Sequence, residues 1–566
     1  MTDGSMRFRR RVLMQAGNAI LLGLLLAGTT GAQGAGKPPL VGYGWEFLAV
    51  NTEDVWRNRA KFADTGLDGV ILPVDGKRAD GSLVTGRDLL NGVVWKPEDF
   101  ARTPGLLRDI TACRGLTDSY GLMYWMPKTR IGWTDDEAWR GIAGNVRILA
   151  RAVKEGGLRG LVIDHEDYHK AKQFFHRQGD PDYAATAALA RRRAHEVFGG
   201  LFEEFPDAKV MSFWFLSECR SCGDRGDIAG VAEGNGRLWH HFVNGILDAL
   251  PPTARLVDGC ETAYTKTGEG FRSLAWSVKT GSLPLVAPEN REKYARQMKV
   301  GFGQYVDAYI ITNSADMFYL GPRCGSRQNA FALNLMDAKA VAEDVIWLYG
   351  EHGTWIDWDR KDSRKLQYPE WETLLPGLSA KLRLVGGDLS SLEKAANSGR
   401  MANLIVNSGC AASPGAAATD VPEPFACYPG IKQVPPGVFA RDPDDGAADP
   451  GCLKLSGEGC FTVFAKGLAC GQVVYVRAKA KGARPIINAA WRHGGGWKWD
   501  LGDNYVAGRE GVSPSEWQSL TAFLIVPEGA DGIGLTLGGP STSDSPTRFD
   551  DVCVFAANGR GKENGR

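Results

Sequence analysis

A short apolar run that ends in two carboxylates constrains the fold of this chain more than any other feature. Leu161–Asp164 is apolar, β-branched and unbroken, which is typical of a buried parallel strand. Asp164 and Glu166 lie two residues apart, so they would point to the same side if the strand continued. Two carboxylates on one face are costly to bury, and the carboxyl ends of the strands of a (β/α)8 barrel offer a wet cleft for them.

Short apolar runs alternate with longer amphipathic segments along most of the chain, which is the pattern of repeated strand–helix units. A doubly wound open sheet is the competing fold, but no glycine-rich phosphate loop follows the first strand. The pattern therefore favours an α/β fold, a (β/α)8 TIM barrel. Its strands are predicted near Val41–Phe47, Gly69–Val74, Gly121–Met126, Leu161–Asp164, Lys209–Phe215, Arg255–Asp258, Asp307–Thr312 and Thr354–Asp357. Predicted helices include Asp135–Glu155, Tyr183–Phe205 and Ala332–Tyr349.

The C-terminal part of the chain has a different character. From Asn403 onward helical periodicity disappears, and short alternating runs such as Gln472–Lys479 are separated by Gly and Pro. This pattern predicts an all-β jelly-roll sandwich after the barrel. The predicted domains are residues 37–375 for the barrel, 376–402 for a helical connector, 403–557 for the sandwich and 558–566 for a disordered tail.

Residues 1–36 have the features of an export signal. Arginines at positions 7, 9, 10 and 11 precede the apolar run Ala19–Ala27. The spacing of Arg10, Arg11 and Leu13 resembles a twin-arginine signal, and an ordinary secretory signal is the alternative. We therefore predict a protein that is secreted, periplasmic or on the cell surface, with no stable membrane span once the signal is removed.

The balanced charge of the chain gives no indication of a polyanionic partner. Lys+Arg and Asp+Glu each number 66, so no net charge points to nucleic acid or another polyanion.

The 11 cysteines of an exported chain predict disulfides. Cys219 and Cys222, in a CxxC arrangement, could form half of a zinc site. No second CxxC or HxxxH partner is present, so a disulfide is favoured there.

Four segments near the C-terminus carry a resemblance to a known family: Asn403–Asn407, Tyr475–Lys481, Trp517 and Phe549–Val552. They resemble the family-4/9-type carbohydrate-binding modules, although Ser408-Gly-Cys410 replaces the usual Gly-Phe-Glu near the opening. The resemblance covers residues 403–556 and implies a β-sandwich that binds glycans or serves as a structural domain. Three tryptophans in or beside a glycine-rich stretch would either stack on sugar rings or fill the sandwich core: Trp491, Trp497 and Trp499.

Glycoside hydrolysis needs two carboxylates that flank one bond, one to protonate the leaving oxygen and one to attack the sugar or activate water. Strand four supplies Asp164 and Glu166, and strand six supplies Glu261, across the mouth of the barrel. We predict Glu166 as general acid/base, Glu261 as nucleophile or base, and Asp164 as a group that orients or tunes Glu166. Alternatively, Asp164 or Glu166 caps the next helix or pairs with a basic residue. Other strand-end acids rank lower: Glu46, Glu218, Asp316, Asp357 and Asp359.

The placement of acids on strands four and six resembles that of the α-galactosidase and α-glucosidase families, although the local motifs differ. Asp164-x-Glu166 also resembles the end of the chitinase signature DxxDxDxE, but Arg159 and Val162 replace the earlier acids of that signature. These resemblances imply the architecture of a barrel glycosidase and leave the sugar and the linkage open.

Aromatic side chains at the strand ends are typical of a sugar-binding cleft. His165 could hydrogen-bond hydroxyl groups, whereas strand alternation places it opposite the acids and argues against a metal site. We predict no metal and no cofactor. The predicted substrate-binding residues are Trp45, Tyr124, Trp125, Trp214, Tyr264, Trp358 and His165.

Together these features predict an exported glycoside hydrolase that cleaves a poly- or oligosaccharide with two carboxylates. One alternative is a non-catalytic glycan-binding surface protein that keeps the barrel as a scaffold. Another is a metal-dependent carbohydrate hydrolase or deacetylase. The glycosidase needs two carboxyl groups that face one cleft, whereas the metal enzyme needs imidazoles that converge with the acids.

Overall fold

The computed structural model describes residues 38–217, 227–322, 326–428, 437–501, 503–508 and 513–557. Four predictions therefore lie outside the described residues: the export signal at 1–36, Glu218, the Cys219/Cys222 pair and the tail at 558–566. Within the described residues, the chain divides into a mixed α/β part and an antiparallel β part.

The α/β part carries the strands β1 (Leu40–Gly44), β2 (Gly69–Leu72), β3 (Asp75–Lys77), β4 (Leu83–Thr85), β5 (Tyr120–Tyr124), β6 (Gly160–Asp164), β7 (Lys209–Ser212), β8 (Arg255–Asp258), β9 (Met298–Val300), β10 (Phe302–Tyr305) and β11 (Ile346–Gly350). β3 and β4 form a separate hairpin. The other nine strands form one parallel sheet in the order β10-β11-β1-β2-β5-β6-β7-β8-β9. Because only Gly301 separates β9 from β10, the two ends of the sheet are one continuous stretch of chain, and the barrel is nearly closed.

Two long helices begin where short acidic side chains cap them. The Asp135 carboxylate accepts a hydrogen bond from the amide of Ala138, and the Asp182 carboxylate accepts one from Ala185. Both helices were predicted from the sequence to within one residue at each end. The helices of the α/β part are Thr52–Asn58, Thr103–Thr111, Asp136–Glu155, Tyr183–Glu204, Ile228–Gly234, Trp239–Ala249, Glu269–Trp276, Arg291–Gln297 and Arg327–Lys339, followed by Trp371–Leu374, Leu378–Arg383 and Leu389–Asn397.

The predictions for the last two barrel strands were wrong. The segment predicted as strand seven, 307–312, overlaps a 3-10 helix at Val306–Tyr309, and the actual strands are β9 and β10. The segment predicted as strand eight, 354–357, follows β11 instead of forming it. The predicted helix Ala332–Tyr349 ends at Lys339, so its last residues belong to β11.

Gly303 explains why the sequence of β10 carries only a weak strand signal. A Cβ atom on Gly303 would lie 2.8 Å from the Trp347 ring and 2.8 Å from the Tyr264 ring. Both rings press against the backbone there, so the position requires glycine even though glycine lowers strand propensity. The tertiary contact therefore overrides the local signal.

We expect Gly303→Ala to lower the free energy of unfolding by about 1–3 kcal/mol, because the added methyl group must displace Trp347 or Tyr264. Urea unfolding measures this change. Gly144→Ala is a matched control, since Gly144 lies in the helix Asp136–Glu155 and its Cβ would meet no atom within 4 Å. Equal midpoints for the two variants would show that the barrel tolerates a side chain at residue 303.

Two antiparallel sheets form the C-terminal part of the chain, which confirms its predicted all-β character. The strands are β12 (Ala426–Tyr428), β13 (Phe439–Asp442), β14 (Cys452–Leu455), β15 (Cys460–Lys466), β16 (Val473–Lys481), β17 (Ile486–His493), β18 (Gly496–Trp497), β19 (Asp503–Ala507), β20 (Gln518–Ile525), β21 (Gly532–Gly538) and β22 (Thr547–Ala556). One sheet has the order β12-β15-β21-β17-β18, with β19 paired to β17, and the other has the order β13-β14-β22-β16-β20.

The cysteines do not support the predicted disulfides. Seven of the cysteines among the described residues are free thiols: Cys113, Cys410, Cys427, Cys452, Cys460, Cys470 and Cys553. Cys410, Cys452 and Cys553 are buried, and burial raises the pKa of each of these thiols. Separately, no helix in the described part of the chain is both long and apolar enough to cross a membrane.

Candidate functional site

Three predicted acids lie at the carboxyl ends of the parallel strands. Asp164 is the last residue of β6, is only 4% exposed, and accepts a hydrogen bond at Oδ1 from the amide of Glu166 (3.1 Å). Glu261, the third residue after β8, begins a short 3-10 helix, and its amide donates a hydrogen bond to the carbonyl of Phe213 (3.1 Å). Glu166 and Glu261 are both partly buried. Their side chains therefore share one end of the barrel, two strands apart.

A fourth acid at this end of the barrel was missed by the sequence analysis. Glu351 directly follows β11, and its amide donates to Oδ2 of Asp307 (2.8 Å). The side chain of Glu351 also takes part in hydrogen bonds with Tyr305 and Tyr349. The signal was present, because an apolar run followed by an acid is the same pattern that located Asp164. The misplaced eighth strand concealed it. We call Asp164, Glu166, Glu261 and Glu351 the carboxyl cluster.

The carboxyl cluster holds protons more tightly than isolated acids do. Burial, followed by the negative charges of Glu166, Asp164 and Glu351, raises the pKa of Glu261 to about 9. Burial and the charge of Glu166 raise the pKa of Asp164 to about 8. The pKa of Glu166 is also raised, by burial and the charge of Glu351, while His165 partly offsets the shift. Glu261 therefore lies within electrostatic reach of the other three acids of the cluster.

Three tyrosines lie beside the carboxyl cluster. The Tyr264 ring stacks on Tyr349 (5.9 Å between centroids, 3° between planes) and on Tyr305 (5.2 Å, 24°). The side chain of Tyr264 also hydrogen-bonds Glu261. The packed rings fix the positions of hydroxyl groups next to Glu261 and Glu351, so the acids sit in a preorganised setting.

The structure separates the predicted substrate-binding aromatics into two groups. Trp45, Tyr124 and Trp214 are half-buried at the strand ends and remain available to a ligand. Tyr264 is 7% exposed and belongs to the tyrosine stack.

Trp358 is a core residue, which corrects its predicted role, whereas Trp125 is buried but also lines the cleft beside Glu166 that is described below. Trp125 is fully buried and lies against Phe198 and Phe242. Trp358 is 1% exposed, and its indole donates a hydrogen bond to Glu46. The sequence identifies these residues as tryptophans but does not show which way their side chains face. Both were therefore included in the predicted set of substrate-binding residues.

The other strand-end acids have structural partners. Glu46 is 1% exposed and accepts hydrogen bonds from the amide of Trp355 (2.8 Å) and the indole of Trp358. Asp357 pairs with Lys361 at 2.7 Å, and Asp359 pairs with Lys61 at 2.5 Å. The carboxylate of Asp316 accepts a hydrogen bond from the amide of Phe318 in an exposed loop (2.8 Å). These contacts are consistent with the lower rank of these acids among the candidate catalytic residues.

A cleft of about 400 Å³ opens beside Glu166. The loops that follow β5, β6 and β7 form its walls together with the start of the helix Trp239–Ala249. We call it the Glu166 cleft; its lining includes Pro127, His165, Glu166, Phe174, Trp214 and Trp239. Its volume falls within the range of small-molecule sites, roughly 300–1,000 Å³.

His165 is part of the wall of the Glu166 cleft. Its ring is 9% exposed and stacks on Trp239 at 4.0 Å, with 13° between the planes. Nδ1 of His165 lies 3.4 Å from the hydroxyl of Ser212. The described residues contain no group of three or more His, Cys, Asp or Glu side chains arranged to hold a metal ion.

The three predicted glycan-binding tryptophans of the C-terminal part also separate. Trp491 is fully buried and belongs to the core, which corrects its predicted role. Trp497 and Trp499 stack on each other (4.9 Å, 14°), and Trp499 is 51% exposed. The guanidinium of Arg492 lies 4.9 Å from the Trp497 ring and 3.8 Å from the Phe464 ring. These side chains form an exposed aromatic platform on one sheet.

Comparisons with known proteins give distant structural neighbours. No family model matches the chain, and no curated protein matches it. One similar solved structure is the CBM22-1 xylan-binding domain of Paenibacillus barcinonensis Xyn10C, at 12% identity over 28% of this chain and 97% of that domain, with a TM-score of 0.21. Another is TmCBM61 in complex with β-1,4-galactotriose, at 13% identity over 28% of this chain and 99% of that one (TM-score 0.20).

A third similar structure is the enzymatically active domain of bacteriophage CBA120 tailspike protein 4, at 11% identity with a TM-score of 0.22. The match covers 27% of this chain and 21% of the tailspike domain. The neighbours therefore include carbohydrate-binding modules and a domain of a tailspike enzyme. At these identities and TM-scores the likeness carries no argument about activity, which rests on the geometry of the site itself.

Proposed function

We propose that this protein is an exported glycoside hydrolase that cleaves a poly- or oligosaccharide with two carboxyl groups. The observation that carries the proposal is the carboxyl cluster, in which acids from β6, β8 and β11 act on one another at one end of the barrel. If β9 and β10 are counted as one strand, the sheet has eight strands, which is the number in a (β/α)8 barrel, and such barrels place catalytic acids at this end. No metal or cofactor is needed for this chemistry.

The electrostatics favour an exchange of the two catalytic roles expected from the sequence. Glu261 has a pKa raised to about 9 and keeps its proton at neutral pH, as a proton donor must. Burial is the largest cause of the raised pKa of both groups, and Glu166 lines an open cleft, so we infer that Glu166 ionises first of the two. We therefore assign Glu261 as the general acid that protonates the leaving oxygen, and Glu166 as the nucleophile or base. Asp164, with a pKa of about 8, would orient Glu166 through its contact with the Glu166 amide.

A hydrolysis screen tests the proposed function. The purified protein would be incubated with xylan, cellulose, mannan, galactan, chitin and their oligosaccharides, and with α- and β-glycosyl fluorides, while released sugar is measured. Release from one series supports a glycosidase and names its substrate. Binding to a polysaccharide without release from any substrate would favour the non-catalytic alternative. Release that a chelator abolishes and zinc restores would favour the metal-dependent alternative.

We further propose that residues 403–557 form a jelly-roll sandwich that holds the enzyme on glycan through the exposed platform of Trp497 and Trp499. An exposed indole face buries apolar area against a sugar ring at little cost in conformational entropy. The packing of Arg492 against Trp497 and Phe464 supports the platform from the sheet side.

We expect Trp499→Ala to weaken retention on the preferred insoluble polysaccharide about tenfold, since the variant loses an exposed ring worth roughly 1.4 kcal/mol of stacking and burial. A pull-down depletion isotherm measures this loss. Trp276→Ala removes an indole that is 56% exposed on the barrel, so it controls for the loss of any surface tryptophan. Equal isotherms for both variants would show that Trp499 does not contact glycan.

A further inference from the structure

Resting on the proposed function, we propose that the Glu166 cleft binds the sugar ring whose anomeric carbon is attacked, and that Trp214 is the stacking platform for that ring. The first support is position. Among the described residues, Glu166 is the one member of the carboxyl cluster that lines this cleft. A carboxylate that attacks carbon, or activates water to attack it, must lie under the ring that carries that carbon. The ring therefore belongs on the side of Glu166 that the cleft occupies.

The walls of the Glu166 cleft are aromatic and held in place. His165 stacks on Trp239, and Phe174 meets Trp239 edge to face at 4.7 Å. The indole of Trp239 donates to the carbonyl of Phe215 (2.8 Å), which anchors the group to the chain after β7. Such a rigid wall positions a ligand without an ordering cost on binding.

Trp214 is oriented differently from the other aromatic side chains of this wall. Its ring makes an edge contact with His165 (5.9 Å, 89° between the planes) and is only half-buried. The ring plane is therefore perpendicular to the His165–Trp239 stack, and Trp214 lines the cleft. This is the arrangement of a platform against which the apolar face of a pyranose can stack.

The rim of the Glu166 cleft is polar, as the hydroxyl groups of a sugar require. Asp167 and Lys172 are exposed there, and the hydroxyl of Tyr168 donates a hydrogen bond to Glu166. Aromatic walls with a few polar groups at the rim match a ring that has apolar C–H faces and hydroxyl edges. Glu261 is not among the described residues that line the cleft, so the leaving group would lie outside the cleft, on the Glu261 side.

The test compares two leaving groups. Wild type, Trp214→Ala, Trp214→Phe and the control Trp276→Ala would be assayed on oligosaccharides and on glycosyl fluorides of the same sugar, from the xylo-, gluco-, manno-, galacto- and N-acetylglucosamine series. Fluoride fills no sugar subsite on the leaving-group side. We expect Trp214→Ala to lose about 10- to 100-fold in kcat/KM on both substrates, Trp214→Phe to lose less, and Trp276→Ala to match wild type.

Each other result has a distinct meaning. Loss by Trp214→Ala on oligosaccharides alone would place the leaving sugar in the cleft and overturn the assignment of the attacked ring. No loss on either substrate would show that Trp214 contacts no sugar, and would overturn the inference while leaving the glycosidase intact. If wild type releases nothing from either class, the proposed function itself fails, and the inference fails with it. Circular dichroism checks that each variant is folded.

Discussion

Glu166→Gln is expected to abolish sugar release from oligosaccharides and from glycosyl fluorides alike. The amide cannot attack the anomeric carbon or take a proton from water, and a better leaving group does not replace that step. We expect kcat/KM to fall on the order of 10⁴-fold or more for both substrate classes. Single-turnover assays with the two substrates measure the loss side by side.

Two controls make the result for Glu166 specific. Tyr168→Phe removes the hydroxyl that donates to Glu166 and keeps the ring, so it should alter the rate far less than the loss of the carboxylate does. Asp357→Asn removes an exposed acid that pairs with Lys361, outside the carboxyl cluster, and should match wild type. Wild-type rates for Glu166→Gln on either substrate would refute the assignment of Glu166.

The location of Glu166 was predictable because local and tertiary signals agree along the first six strands of the barrel. The runs that form β1, β2 and β5–β8 are apolar, end in turn or acidic residues, and are followed by segments of helical or polar character. In the strand β6 all five residues are buried, as its unbroken apolar sequence suggests. The acids that follow β6 and β8 were therefore placed at the correct end of the barrel from sequence alone.

The rest of the barrel could not be located in the same way. β9 and β10 contain Gly301 and Gly303 in or between them, and the need for Gly303 arises only from Trp347 and Tyr264 across the barrel. β11 follows the helix Arg327–Lys339 closely, so its apolar residues extended the helical pattern. That error hid Glu351, which is a member of the carboxyl cluster.

The sequence also does not show which tryptophan side chains are buried. Trp358 and Trp491 are core side chains, whereas Trp214 and Trp499 are accessible, although all four are tryptophans. The order in which the acids ionise depends on burial as well. The sequence placed the acids, but only their surroundings indicate that burial raises the pKa of both Glu261 and Asp164.

Glu261→Gln should separate the two substrate classes. An oligosaccharide needs its leaving oxygen protonated, so the variant should lose about 10²- to 10⁴-fold in kcat/KM. Fluoride leaves without a proton, and we expect the variant to keep fluoride hydrolysis within about tenfold of wild type, because Glu166 is intact. Parallel initial-rate measurements on both substrates give the ratio directly.

The pH profile provides an independent check on the role of Glu261. A general acid must be protonated in the free enzyme, so wild-type kcat/KM on an oligosaccharide should hold through neutral pH and fall as pH rises past the pKa of Glu261, about 9. On the fluoride, which needs no proton donor, neither wild type nor Glu261→Gln should show that alkaline fall. If Glu261 were the nucleophile instead, wild-type activity would rise towards pH 9, and Glu261→Gln would lose both substrates. That outcome would return the donor role to Glu166.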